Sequence, residues 1–101
     1  MSVAEDPSRL TRQIAFRAVQ ALREIHKAGV LHVDHWPRNI VVDGQGGVRW
    51  VDFDSAITTN YWSIDERWFW MEEAGTMHTL LLDVIPARER GELAQWEKFS
   101  F

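Results

Sequence analysis

Asp34, Asn39 and Asp52 are the side chains whose types and spacing could act together on a charged oxygen substrate. They lie in residues 29–56, GVLHVDHWPRNIVVDGQGGVRWVDFDSA, which read as loop, strand, turn, strand, loop. Asp34 and Asn39 precede the outgoing strand, Asp52 ends the returning one, and residues 43–47 make the turn between them. Antiparallel pairing then brings both acidic ends to one edge of a small ribbon. Carboxylate and amide oxygens gathered there suit a hard divalent cation and a phosphoryl group whose charge must be neutralised during transfer.

The elements that must position these groups follow from patterning. Asp6-Pro7 predicts the start of a helix, an acidic cap followed by a residue whose fixed φ suits the first turn, and the helix should run to about Ala28. Leu10, Ile14, Ala18, Ala21, Leu22 and Ile25 share its apolar face, and Gly29 ends it as a left-handed cap. Phe16 falls on the polar face, as a lone exposed aromatic or a contact for a partner. Ile40-Val41-Val42 and residues 48–53 are β-branched or aromatic, and the intervening Gly44-Gln45-Gly46-Gly47 permits positive φ. Without a following lysine and helix, that glycine run reads as a hairpin turn and not as a phosphate cradle. Trp50 reads as a packing residue.

Ser63-x-x-Glu66 reads as a capping box opening a second helix over residues 64–84. That segment is apolar nearly all round, which predicts a central core helix, with a break near Gly75-Thr76 as the alternative. Pro86 is expected to stop it, and residues 87–98 to form a third, polar helix. His32 is expected to be a buried scaffold residue bonded to backbone, and His26 and His78 to be ordinary helical residues. His32-x-Asp34-His35 lacks a fourth ligand and a cysteine, which argues against zinc.

His32-Val33-Asp34 with Asn39, followed by Asp52-Phe53-Asp54, resembles the catalytic loop and metal-binding loop of the protein kinase superfamily. The lead-in over residues 22–31 resembles the end of the helix that feeds that loop, and the likeness covers roughly residues 8–57. The resemblance implies an α+β, mainly α fold: a fragment of a kinase-like large lobe, with helices around a small β-hairpin and no small lobe. Residues 1–101 would be one partial domain. By the same resemblance Asp34 would accept or orient the proton of the attacking hydroxyl, and Asn39 and Asp52 would hold Mg²⁺ against the phosphates of ATP.

Departures from the family pattern carry information as well. Val33 replaces the arginine that pairs with a phosphorylated activation loop, and Trp36 replaces the lysine that commonly neutralises the transferred phosphate. Arg38 could reach the same charge, so it joins Asp34 as a candidate catalytic residue. Asp54 replaces a glycine, as in kinase-like enzymes of the aminoglycoside and choline kinase type. Residues 1–9 cannot encode the small lobe that supplies a glycine-rich loop and a strand lysine, and no Ala-Pro-Glu triplet follows.

Bulk properties narrow the partners. At 101 residues the chain supports one modest core, and 46% hydrophobic residues with six Trp and five Phe argue against disorder. Fifteen acidic and eleven basic residues, net −4 with no basic cluster, argue against nucleic acid as a partner. No cysteine excludes a disulfide, and no signal pattern or spanning run is present, so a cytoplasmic protein with no membrane partner is expected. The expected activity is transfer of the ATP γ-phosphate to a hydroxyl, a protein Ser/Thr being favoured, once a small-lobe chain or segment completes the nucleotide site. The alternatives are a small-molecule kinase and a catalytically dead, pseudokinase-like binding module for a protein partner.

Overall fold

The computed structural model of the chain describes residues 10–58 and 66–92. The first helix, α1, is Arg12–Lys27, capped by Thr11, whose hydroxyl accepts the Ile14 N–H at 3.2 Å. That cap corrects the start expected at Asp6-Pro7: Thr11 is extended, and its side chain satisfies one of the orphan amides of the first turn. The other end follows expectation, with Gly29 at φ 80° after the Ala28 cap. Ile14, Ala15, Ala18, Val19 and Leu22 are buried along one face, and Phe16 is exposed.

After Gly29 come β1 (Val30–Leu31), a short 3₁₀ turn (Pro37–Asn39), β2 (Ile40–Val42) and β3 (Val48–Trp50). β2 and β3 pair antiparallel, Ile40 opposite Trp50 and Val42 opposite Val48. The turn is built by Asp43, whose Oδ1 accepts the N–H groups of Gln45 and Gly47, each at 2.8 Å, with Gly46 at φ 81°. These bonds, from Gly47 first and then Gln45, hold the Asp43 carboxyl below its ordinary value. β3 ends at Trp50, not at Phe53 as the β-propensity suggested, because Asp52 adopts a left-handed φ of 62° that a strand cannot contain. A second ribbon, not foreseen from the sequence, pairs β1 with β4 (Ile57–Thr58), Leu31 opposite Ile57. It returns the chain beside the residues that enter the Asp34 loop.

The second helix, α2, is Glu66–His78, continuous through Gly75-Thr76. It runs into a π-helical stretch, Thr79–Val84, and then into α3, Ile85–Glu89. Pro86 therefore does not stop the helix. In an α-helix its ring would press on the carbonyl four residues back, and the wider π turn just ahead of it takes up the misfit. Ala87 is buried within α3, and residues 93–98 of the expected third helix lie outside the described residues, as does Ser63 of the capping box. The core joins α1 to Ile40, Val42 and Trp50 of the hairpin and to Leu80, Val84, Ile85 and Ala87. Trp50 packs as expected and its Nε1 donates to the Ala18 carbonyl at 2.8 Å.

The expectation of a central core helix over residues 64–84 holds for Leu80 and Val84 and fails for α2. Only Glu72 and Thr76 of α2 are buried, in line with Leu80, while Trp68, Trp70 and Met71 are more than half exposed. α2 meets α1 and β1 along one side, where Phe69 lies against the His26 ring, and Trp68, Trp70 and Met71 stay exposed. The molecule is a small α+β fold, mainly helical, with two short antiparallel ribbons. No described helix is long and apolar enough to cross a membrane.

Candidate functional site

The loop between β1 and β2 is held by its own side chains. Asn39 is buried, and its Nδ2 donates to the main-chain carbonyl of Asp34 at 2.7 Å, closing residues 34–39 into a compact turn. Arg38 Nη2 donates to Asp34 Oδ1 at 2.7 Å, so guanidinium and carboxylate face the same side of that turn. Both side chains remain partly open to solvent.

Asp52 reaches this place through the hairpin. The Val51 N–H donates to the Asn39 carbonyl at 2.9 Å, one step beyond the last strand pair, and Asp52 follows directly. The Val51 carbonyl in turn accepts a hydrogen bond from His32 Nε2 at 2.9 Å. Since a carbonyl only accepts, Nε2 carries the hydrogen and His32 acts as the buried scaffold residue expected of it. Its ring packs against Phe53, centroids 4.7 Å apart, and against Trp50 at 5.3 Å. Asp34 and Asn39 are thus tied by the Asn39 side chain, and the Val51 to Asn39 backbone bond sets Asp52 one residue past the last strand pair.

Two residues here adopt a left-handed backbone without being glycine: Val33 at φ 74° and Asp52 at φ 62°. For a β-branched residue such as Val33 this conformation is strained, and it persists only where surrounding structure enforces it. Glu72 supplies the enforcement. Its Oε1 accepts the His32 N–H at 3.0 Å and its Oε2 the Val33 N–H at 2.9 Å, both inside the protein. His26 Nε2 donates to Oε1 at 2.8 Å, and His35 Nδ1 lies 3.5 Å from Oε2. Burial pushes the Glu72 carboxyl up, yet the bond from His26, the nearby His35 ring and the bonds from the Val33 and His32 amides outweigh it and hold the group well below the usual carboxylate range.

The reading of His26 as an ordinary helical residue is therefore corrected. It is buried, contacts the Phe69 ring with centroids 4.7 Å apart, and also donates from Nδ1 to Glu73 Oε2 at 2.7 Å. His26 and Glu72 were missed because their partners are distant in sequence. A signal existed: His26 follows Leu22 by one helical turn on the buried face of α1, and adjacent acids interrupt an otherwise apolar α2. His78 is exposed on α2.

Among the described residues no group of three or more His, Cys, Asp or Glu side chains is gathered to hold a metal ion. Asn39 and Asp52 are two oxygen donors, which suits Mg²⁺, an ion that keeps several waters and takes further ligands from phosphates. An open groove of about 720 Å³ lies elsewhere, between α1 and the Asp43 turn. Its cations are already engaged, Arg17 with the Gly46 carbonyl, Arg23 with Glu73 and Lys27 with Glu24.

Comparison with known proteins gives two partial likenesses. The chain is 37% identical over 49 residues to the serine/threonine-protein kinase SSK22 of Saccharomyces cerevisiae, covering 48% of this chain and 4% of that protein. It is 36% identical over 47 residues to the chloroplastic serine/threonine-protein kinase STN8 of Arabidopsis thaliana, covering 46% of this chain and 10% of that one. No family model and no solved structure matches. The likenesses support a kinase-like relationship over a short segment, and the chain spans a tenth or less of the length of these relatives.

Proposed function

We propose that the chain forms the hydroxyl-activating and metal-holding part of a kinase-like phosphotransferase that moves the γ-phosphate of ATP to a hydroxyl. One observation carries the reading: the Asn39 side chain closes the loop onto the Asp34 carbonyl, and the Val51 N–H to Asn39 carbonyl bond puts Asp52 next in the chain beyond the same strand pair. Asp34 orients the acceptor hydroxyl and takes its proton as the oxygen attacks. Arg38, already against the Asp34 carboxylate, offsets negative charge on the group in transit. Asn39, whose amide nitrogen faces the Asp34 carbonyl, would offer its oxygen, and Asp52 its carboxylate, to the metal. Magnesium held there would supply neutralisation of the phosphate charge. The glycine-rich loop and lysine that clamp the nucleotide come from another segment or chain.

A protein Ser/Thr is the favoured acceptor, because both partial relatives are named as serine/threonine kinases. Asp54 beside the metal residues favours a second reading, a small-molecule hydroxyl. The exposed Trp68, Trp70 and Met71 favour a third, a binding module without activity. The test joins this chain to a kinase small lobe and assays it against a peptide library, aminoalcohols and aminoglycosides. Phosphate on peptides is expected, lost in Asp34→Asn with nucleotide affinity kept, whereas Asp52→Asn weakens magnesium-dependent nucleotide binding. Phosphate on the small molecules alone moves the acceptor to that class. No phosphate on any acceptor, with the fold intact, sinks the phosphotransfer reading and leaves the binding module.

A further inference from the structure

The charge cluster under the Asp34 loop has a property that phosphotransfer does not require. His26 sits between two carboxylates, Nε2 toward Glu72 Oε1 and Nδ1 toward Glu73 Oε2, at 2.8 and 2.7 Å. A carboxylate only accepts, so both ring nitrogens carry hydrogens and the buried ring is an imidazolium. Four groups share its field. Glu72 and Glu73 face it from α2, Arg23 on α1 donates from Nε to Glu73 Oε1 at 2.8 Å, and His35 approaches Glu72 from the loop. Among the described residues β1, also packed on α1, brings Val30 and Leu31, and β3 and the π-helical stretch, packed on α1 as well, carry Arg49 and Asp83.

We propose that His26 is a positioning residue for the Asp34 loop, and that its proton sets how firmly Glu72 holds the strained backbone at His32 and Val33. A neutral imidazole donates from one nitrogen only. When the proton leaves to water, one ring nitrogen turns a lone pair toward a carboxylate oxygen at hydrogen-bond distance, and ring or carboxylate must move. Glu73 is secured at the rim by Arg23. Glu72 is the partner whose displacement releases the His32 and Val33 amides, and Val33 at φ 74° then relaxes. Burial alone would discharge His26, but the bonds and attraction of Glu72 and then Glu73 outweigh it and raise its pKa above 6.5, which places the switch on the neutral-to-alkaline side.

This clamp operates whether or not phosphate is transferred at Asp34, and it is read from backbone amides, so the two proposals fail separately. The measurement is a pH titration of the isotope-labelled 101-residue chain by NMR, following the ring protons of His26 and His35 and the amides of His32 and Val33. The expected result is a His26 midpoint above 6.5 shared by both amides, with the His26 and amide midpoints falling together in Glu73→Gln. In His26→Gln the amides lose that pH dependence. Amides that stay flat through the His26 titration overturn the proposal, as do amides that follow His35. So does an amide midpoint that Glu73→Gln leaves in place while moving that of the ring. Should either variant not fold, the wild-type titration decides alone.

Discussion

Asn39 Nδ2 donates to the Asp34 carbonyl at 2.7 Å from a side chain that is itself buried, so the residue proposed to hold metal also holds the loop closed. The bond should therefore matter without any ligand. Asn39→Ala leaves a carbonyl short of its donor and is expected to cost about 2 kcal/mol of stability. Urea denaturation in magnesium-free buffer measures it. A midpoint equal to wild type would show that Asn39 contributes nothing to the loop.

Val33 is exposed at 42% and sits at φ 74°, so its side chain gives little burial in return for a strained backbone. Asparagine tolerates the left-handed region far better than a β-branched residue. Val33→Asn should stabilise the chain by about 1 kcal/mol, the lower end of what such strain costs. The prediction fails if the denaturation midpoint drops, which would place the φ value under no strain.

Trp68 and Leu80 separate the outer from the inner face of the long helical arm. Trp68 is 57% exposed and Leu80 is 1% exposed. Leu80→Ala opens a cavity in the core and should cost about 3 kcal/mol, enough to unfold much of so small a domain. Trp68→Ala should stay within about 0.5 kcal/mol of wild type, as surface changes do. Paired thermal melts distinguish the two, and equal losses would mean that Trp68 is covered in solution.

These contrasts mark where the sequence was informative. The α1 stripe, the hairpin and its Asp43 turn were legible because each is a local pattern: a 3.6-residue period, β-branched runs and a glycine-rich turn. The pairing of Val51, next to Asp52, back to Asn39 continues the hairpin register. What was illegible depended on contacts far along the chain. Nothing local tells that Glu72 accepts amides from His32 and Val33, or that β4 returns to β1. The near-uniform apolarity of residues 64–84 suggested burial on every side, but composition does not say how many neighbours are present to cover a helix. Pro86 was read as a stop because sequence rules treat an α-helix, and a π turn changes which carbonyl the ring meets.

His26 and Glu72 also give stability a pH optimum, with signs that follow from linkage. The folded state raises His26, so its contribution is complete below the unfolded value of 6.5 and is lost as pH rises through the folded value. It lowers Glu72, so that contribution is complete above 4.5 and is lost as pH falls toward the folded value. Both act fully between 4.5 and 6.5, where the urea midpoint should be highest, with a decline on either side. His26→Gln removes the titrating imidazole and should flatten the alkaline decline while leaving an acid one. Glu72→Gln leaves two backbone amides sharing one acceptor oxygen and should lower stability at every pH by about 2 kcal/mol or more. Urea midpoints collected across pH for wild type and His26→Gln decide the matter: if the alkaline declines are superimposable, the buried histidine does not carry the charge that its two carboxylate partners require.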